Sequence, residues 1–413
     1  MKLLVAGLNY APDSIGIAKY TSEMCDWFVS MGHEVHVVSA PPYYPEWEVP
    51  DEYRAKWYRK EIRHGVHLLR VPIYVPKKPA GIARLLHLAS FAIASLPVLL
   101  WKALVLRPDV VVAIAPALFA APGARLAALM CGAKSWLHIQ DFEVDAAFEL
   151  GFLKGRRLRT VALSFERWLL RSFSKVSTIS PQMMSLLYEK GCELDRICEV
   201  RNWVDLSAIR PEVGAYAATE LNSYRAMLNL RSQDVLVLYA GNIGQKQGIE
   251  IMSSAARLLE NRADVKFLIV GDGPGKANLM ELANGLTNIH FLPLQATDRL
   301  NALLCAADIH VLPQRLGAAD LVLPSKLTGM FASGRPVIVT AESGTGLSIE
   351  VEGRGIIVPP EDENALALAI TTLADDVGYR LELGAAARRR SEEAFGHENI
   401  LRNMESELLK MLA

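Results

Sequence analysis

At 413 residues, 51% of them hydrophobic and 22% charged, the chain is too long for one ordinary core and too apolar to be disordered. A formal net charge of -1 excludes the electrostatic signature of a nucleic-acid binder, although the charge is uneven: residues 1–205 hold 25 Lys and Arg against 20 Asp and Glu, and the remainder 19 against 25. Five scattered cysteines, Cys25, Cys131, Cys192, Cys198 and Cys305, have no metal or redox spacing and fit a reduced cytoplasmic protein with buried thiols.

In chain order, short apolar runs alternate with helical patterns, the signature of parallel sheets built from βαβ units. In the first half, strands are predicted at Lys2–Ala6, Glu34–Ser39, Val110–Ala113, Ser135–Ile139, Lys175–Ile179 and Ile197–Arg201. Helices are predicted at Ile17–Met31, Arg84–Leu106, Gly123–Met130, Leu158–Ser172 and Pro181–Lys190. The N-terminal apolar run stops at Asn9, too short for a signal-peptide core, and reads as the first strand. Within Leu85–Leu106 only 14 uncharged residues separate His87 from Lys102, and Pro97 interrupts them, so the segment reads as a buried or interfacial helix. Basic residues cluster at Arg54–Arg84 and Lys154–Lys175; they are either a solvated face or an attraction for anionic lipid or a phosphate-bearing substrate.

A polar stretch from Asp205 to Asp234 reads as a linker plus a helix, and then the alternation restarts. Strands are predicted at Val235–Ala240, Val265–Val270, Ile289–Leu292, Ile309–Leu312, Pro336–Val339 and Ile356–Val358, with helices at Gly248–Leu259, Lys276–Asn284, Asp298–Ala306 and Ser325–Ser333. Two helices, Glu361–Ala374 and Tyr379–Phe395, and an amphipathic tail close the chain. The pattern predicts an α/β protein of two facing Rossmann-like, doubly wound parallel-sheet domains, 1–205 and 206–385. A helical tail, 386–413, is expected to pack back on the first domain. Ligands bind at the C-terminal ends of such strands, so an interdomain cleft is the expected active site.

Four segments carry candidate chemistry. After the first strand, Gly16 precedes a helix, where a glycine allows close backbone approach and free N–H groups favour an anion; a plain strand-to-helix turn needs the same residue. In LHIQDFEVDAAF, His138, Asp141, Glu143 and Asp145 follow a strand and read as a base, a sugar-hydroxyl site, a divalent-metal site or a solvated acidic loop. In YAGNIGQKQGIE, the turn through Asn242 and Gly244 delivers Lys246, either a cation suited to a leaving phosphate or an exposed loop lysine. In AADLVLPSKL, containing Asp320, Leu323 and Pro324, Ser325 is placed as an N-cap, and Lys326 beside it either neutralises a departing diphosphate or is a surface lysine beside a cap. The run GDGPGK, with Gly271 and Asp272, lacks Walker spacing and reads as a turn into the next helix that touches a nucleoside.

These segments, in this order, resemble the retaining GT-B glycosyltransferases of family 4. SIGIAKYTSEMCDWFVSMGHEVHVVSA is similar to the family's glycine loop, helix and following strand, and CEVRNWVDL to its interdomain segment, with Asn202 matching on the sugar or acceptor side. PPYYPEW, VPIYVPKKP and LHIQDFEVDAAF resemble the colanic-acid-biosynthesis glycosyltransferases of the WcaI type. The resemblance implies a nucleoside-diphosphate sugar donor, a lipid-diphosphate-linked oligosaccharide acceptor, no metal or other cofactor, and peripheral contact with an anionic membrane at its cytoplasmic face. It assigns Lys246 to the diphosphate and Gly16 to the donor, and makes residues 1–205 the acceptor domain and 206–385 the donor domain. Two departures stand out: Asn242 replaces the arginine of the family's two-cation clamp, and Leu321 and Gly329 stand where its Glu pair should be. The rival classes are a non-catalytic sugar-nucleotide-binding partner of an assembly complex and a nucleotide-sugar epimerase, which would convert donor without acceptor.

Overall fold

The computed structural model describes the chain except residues 14–15, 45, 55–56, 78–80, 117, 143–155, 212–222, 245–246 and 317–322. It divides into two compact units, Met1–Arg201 with Glu398–Ala413, and Asn202–His397. The divisions fall at 201/202 and 397/398 rather than at 205/206 and 385/386. The strand of backbone at Val204 bridges to Gly396, which keeps the linker and the penultimate helix in the second unit. The last helix joins the first unit, where Glu405 meets His33 at 2.6 Å and Glu407 takes the Lys175 ammonium at 2.6 Å.

The first unit carries β1 (Lys2–Gly7), β2 (Glu34–Ser39), β3 (Arg59–Arg63), β4 (Val66–Arg70), β5 (Val110–Ala115), β6 (Lys134–Ile139), β7 (Lys175–Thr178) and β8 (Ile197–Glu199). Among the described residues they form one sheet in the order β3-β4-β2-β1-β5-β6-β7-β8. All neighbours are parallel except β3, which runs antiparallel to β4 at the edge. That hairpin departs from the all-parallel expectation. Arg59–Arg63 has one apolar residue, Ile62, so no apolar run announces it, and the turn is made by His64 and Gly65, both at positive φ (48° and 83°).

The connecting helices are α1 (Ile17–Ser30), α2 (Asp51–Arg54), α3 (Gly81–Leu106), α4 (Ala121–Cys131), α5 (Arg156–Ser172) and α6 (Pro181–Glu189). The central strands are sealed on both faces: Leu3, Leu4, Val5, Val110, Val111 and Trp136 are fully buried, as parallel strands covered by helices must be. Pro97 does not end α3. It lies on the exposed side of the helix while Phe91, Val98 and Leu99 bury the other side.

The second unit carries β9 (Val235–Ala240), β10 (Val265–Val270), β11 (Ile289–Leu292), β12 (Ile309–Leu312), β13 (Val337–Thr340) and β14 (Gly355–Val358) in the order β11-β10-β9-β12-β13-β14, all parallel. Its helices are α7 (Glu250–Leu258), α8 (Lys276–Leu282), α9 (Leu300–Ala306), α10 (Lys326–Ala332), α11 (Gly346–Val351), α12 (Glu363–Asp375) and α13 (Val377–Ala394); the chain's last helix is α14 (His397–Leu412). Alternate residues of β9 face opposite cores: Val235, Val237 and Tyr239 pack with Met252 and Ile370, whereas Leu236 and Leu238 pack with Leu303 and Phe331. That two-sided burial fixes the strand register, and with it what stands at the strand ends.

Candidate active site

In the second unit, β10, β9, β12 and β13 stand side by side, so their C-terminal ends open on one edge. That edge is floored by bare backbone. Gly241 and Gly271 adopt φ of 141° and 152°, and a Cβ on Gly271 would come 1.9 Å from the Gly241 carbonyl oxygen. The Ile243 N–H donates to the Asp272 carbonyl and the Gly275 N–H to the Ile243 carbonyl, both at 2.9 Å, which zips the Asn242–Gly244 turn to the Gly271–Gly275 turn. The second turn runs straight into α8, as expected from sequence. The Asp272 carboxylate is held by the Lys276 ammonium at 2.7 Å, which keeps its pKa below the usual carboxylate range.

Across this floor lies Lys326. Its Nζ donates to the Tyr239 hydroxyl at 2.6 Å and to the Asn242 carbonyl at 3.4 Å, and the Tyr239 hydroxyl donates to the same carbonyl at 2.6 Å. A Cβ on Gly241 would sit 2.3 Å from Lys326 Cε, so the missing side chain is the lysine's berth. Burial pushes the Lys326 ammonium down to about 8, and among the described residues it has no carboxylate partner. A desolvated cation held by neutral acceptors is poised for an incoming anion. Leu323 and Pro324 lead into α10, but Ser325 does not cap it. Ser325 occupies the N-cap position with helical φ and ψ (-60° and -21°) and makes no side-chain cap hydrogen bond, which leaves its hydroxyl exposed.

In the first unit, Gly16 precedes α1 with φ of 61°, in open space, and the helix start has no side-chain cap and no acidic residue in its first turn. Three residues earlier, burial pushes the Asp13 carboxyl up to about 6 despite the N–H groups of Tyr43 and Tyr44 and the charge of Arg70. His138 lies inside β6, opposite Ser177 of β7. Its Nδ1 is 2.9 Å from Ser177 Oγ, its Nε2 is 2.8 Å from Gln140 Nε2, and burial pulls its pKa to about 4. It is a neutral, tethered interior side chain rather than a member of the loop that follows. Asp141 is half-buried just beyond it. Asn202 opens the second unit with its Oδ1 buried and without a hydrogen-bond partner among the described residues.

The structure therefore brings Asn242, Gly244, Gly271, Asp272, Leu323, Pro324, Ser325 and Lys326 to one strand edge. Lys246, Asp320, Glu143 and Asp145 lie outside the described residues. Among the described residues no group of three or more His, Cys, Asp or Glu is arranged to hold a metal ion. Sequence reasoning missed Tyr239, whose signal was its place as the penultimate residue of a buried strand, and Asp13, a carboxylate inside the first glycine loop. It also missed Arg315 after β12, whose Cγ would meet a Cβ on Gly248 at 3.0 Å and whose guanidinium reaches Glu250 at 3.1 Å.

Residues 16–203 match the Glycosyl transferase 4-like domain and residues 234–376 the Glycosyl transferases group 1 domain. The putative colanic acid biosynthesis glycosyl transferase WcaI of Escherichia coli is 41% identical over 414 residues, covering 97% of this chain and 98% of that protein. The chain belongs to the family 4 glycosyltransferases. Two solved GT-B structures share the transferase's fold: the sucrose-phosphate synthase of Thermosynechococcus elongatus (TM-score 0.74, 19% identity, 99% of this chain and 98% of that one) and Anabaena HepE in complex with UDP and glucose (TM-score 0.69, 15% identity, 99% and 100%). The transferase thus presents at its second sheet edge a glycine floor, a lysine and an exposed serine hydroxyl.

Proposed function

We propose that the transferase moves a hexose or deoxyhexose, such as fucose, from a nucleoside-diphosphate sugar to a lipid-diphosphate-linked oligosaccharide. The setting is the assembly of an exopolysaccharide like colanic acid, with retention of configuration and without a metal. The observation that carries the reading is the Lys326 ammonium, desolvated above Gly241 with only a phenol and a carbonyl as hydrogen-bond partners among the described residues. The relative named for colanic acid biosynthesis supports the setting, and the fold-mate solved with UDP and glucose supports the donor class.

In this reading the bond from the sugar's anomeric carbon to the β-phosphate oxygen breaks, and its electron pair goes to that oxygen. Lys246, the lysine of the family's two-cation clamp, and Lys326 neutralise the departing charge, Lys326 supplying the second cation where Asn242 stands in place of the clamp's arginine. The acceptor hydroxyl oxygen bonds to the anomeric carbon on the same face, and its proton passes to an oxygen of the leaving diphosphate. The glycine floor suits this because backbone without side chains admits the phosphates closely.

The membrane setting draws on α3. It is long and apolar enough to cross a bilayer, yet Phe91, Ser95, Val98, Leu99 and Ala103 tie one side of it into the first unit's core. The opposite side exposes Ile82, Leu86, Ile93, Trp101, Leu104 and Val105, a stripe suited to lying on an interface rather than spanning it.

The test is Lys326→Ala, and separately Lys246→Ala, assayed with the preferred donor. Each is expected to lower turnover by about 100- to 1,000-fold, the scale of a lost oxyanion donor. Near-normal turnover in both would overturn the reading. Wild-type transfer is expected to persist in excess chelator, and the product's anomeric configuration, read by NMR, to match the donor's.

A further inference from the structure

On the first unit's sheet, away from the strand ends that carry Gly16, a cavity of about 390 Å³ opens between β3, β4, β2 and the last turns of α3. The register explains what faces it. His36 of β2 pairs with His67 of β4, which pairs in turn with Ile62 of β3, and Lys60 is two residues from Ile62, so these side chains share a face. The imidazoles of His36 and His67 stack with centroids 4.7 Å apart, the Lys102 ammonium from α3 lies 3.2 Å from His36 Nδ1, and the Lys60 ammonium lies 6.0 Å from the centre of the Trp101 ring. Among the described residues neither lysine has a carboxylate partner. Glu61, also on the wall, is engaged with Arg59 and Arg70, and Glu34, two residues before His36, with His36 and Lys2. Lys102 has its pKa lowered by burial and then by Lys60, and His36 has its pKa lowered by burial against the opposing pull of Glu34, so the two lysines are the cations that an incoming anion would relieve.

We propose that this cavity binds the phosphate of an anionic membrane lipid, with Lys60 and Lys102 as its cationic grip. The inference rests on the membrane reading above and adds a headgroup site to it. Charge selects the occupant, and apolar surface selects its source. Ile62 (73% exposed) and Trp101 (51%) form the cavity's outer lip, and Leu104 and Val105 continue it along α3. A free phosphate would gain nothing from that lip, whereas a lipid can lay its glycerol and first methylenes on it while its phosphate enters between the lysines.

The experiment is co-sedimentation of the full chain with phosphatidylcholine vesicles, with and without phosphatidylglycerol. The wild type is expected to bind the anionic vesicles more tightly. Lys60→Ala with Lys102→Met is expected to lose about 30-fold of that partitioning, from about 1 kcal/mol per cation at the surface. Lys60→Arg with Lys102→Arg keeps the charge and is expected to keep the binding, with thermal unfolding confirming that both variants fold. Unchanged anionic binding in the Ala/Met variant, or equal loss in the Arg/Arg variant, overturns the site while leaving peripheral contact standing. Wild-type protein that ignores both vesicle types overturns the membrane reading as well. Inorganic phosphate that shifts the His36 and His67 imidazole resonances, where phosphatidylglycerol vesicles fail to compete with it, overturns the lipid in favour of a soluble phosphate.

Discussion

The two strand edges that can meet substrate are built on opposite plans. The second unit's edge is backbone: Gly241 and Gly271 leave no side chains, and one lysine fills the space a Cβ would take. The first unit's edge is side chain: Arg70 lies buried with its guanidinium donating to the carbonyls of Ala40 and Ala11, beside the rings of Tyr10 and Tyr53. A glycine floor suits a ligand whose phosphates and charge are constant, because close backbone approach is insensitive to what the ligand carries elsewhere. An edge of aromatic and cationic side chains suits a partner read by its shape and charge, since side chains can change without moving the fold.

Breaking the glycine floor should have the largest effect. Gly271→Ala puts a Cβ 1.9 Å from the Gly241 carbonyl oxygen at a φ that L residues rarely adopt. The two turns must separate, and a loss on the order of 3–5 kcal/mol is expected, in the range of severe packing errors, read as a lower thermal midpoint and lost nucleotide binding. Gly16→Ala is the matched change in the first unit. Its Cβ meets nothing within 4 Å, so only the backbone cost at φ 61° remains, about 1–3 kcal/mol. Equal losses in the two variants would erase the contrast between the edges.

Tyr239→Phe sharpens the contrast at smaller cost. Lys326 is protonated below about 8, so binding of a nucleoside diphosphate is expected to be strongest there and to weaken as pH rises through that value. Removing the phenol takes away the acceptor 2.6 Å from Nζ and favours the neutral amine. The alkaline limb of donor binding should therefore move to lower pH, by up to about one unit, or about 1.4 kcal/mol. His138 in the first unit gives the opposite expectation. With burial holding it near 4, His138→Asn should lower stability by about 1–3 kcal/mol for its lost hydrogen bonds and leave the pH profile between 6 and 9 where it was. A shifted neutral limb in that variant would return His138 to acid–base chemistry.

Much of this was legible before any coordinates. Val235–Ala240, Val265–Val270, Ile289–Leu292 and Ile309–Leu312 are strands within the predicted bounds, because the strands of a parallel sheet covered by helices are largely apolar runs. The β3–β4 hairpin was not, since Arg59–Arg63 pairs at an edge where charge is tolerated and its turn depends on His64 adopting positive φ. At the site, Lys326 and the glycines follow from motif and spacing, but the Tyr239 contact does not. It exists because β9 and α10, 87 residues apart, meet over Gly241, and no local pattern encodes that meeting. His138 misled for a related reason: position at a strand's end is readable, but which way the ring turns depends on Ser177 in the neighbouring strand.

The smallest effect separates capping from ligand binding, and it again sets one unit against the other. Ser180 and Ser325 both stand at the N-cap position of a helix. In the first unit Ser180 is extended (φ -150°, ψ 156°), and its Oγ accepts from the Met183 N–H at 3.3 Å, as a cap should. In the second, Ser325 already has helical dihedrals, makes no side-chain cap hydrogen bond and is exposed at the start of α10. Ser180→Ala is therefore expected to cost about 1 kcal/mol of stability. Ser325→Ala is expected to stay within about 0.5 kcal/mol by denaturant unfolding. If the Ser325 hydroxyl serves the diphosphate, the same variant weakens nucleoside-diphosphate binding several-fold in calorimetry while its unfolding curve stays put. A fall in stability with unchanged nucleotide affinity would make Ser325 a helix residue only and leave the anion to Lys326.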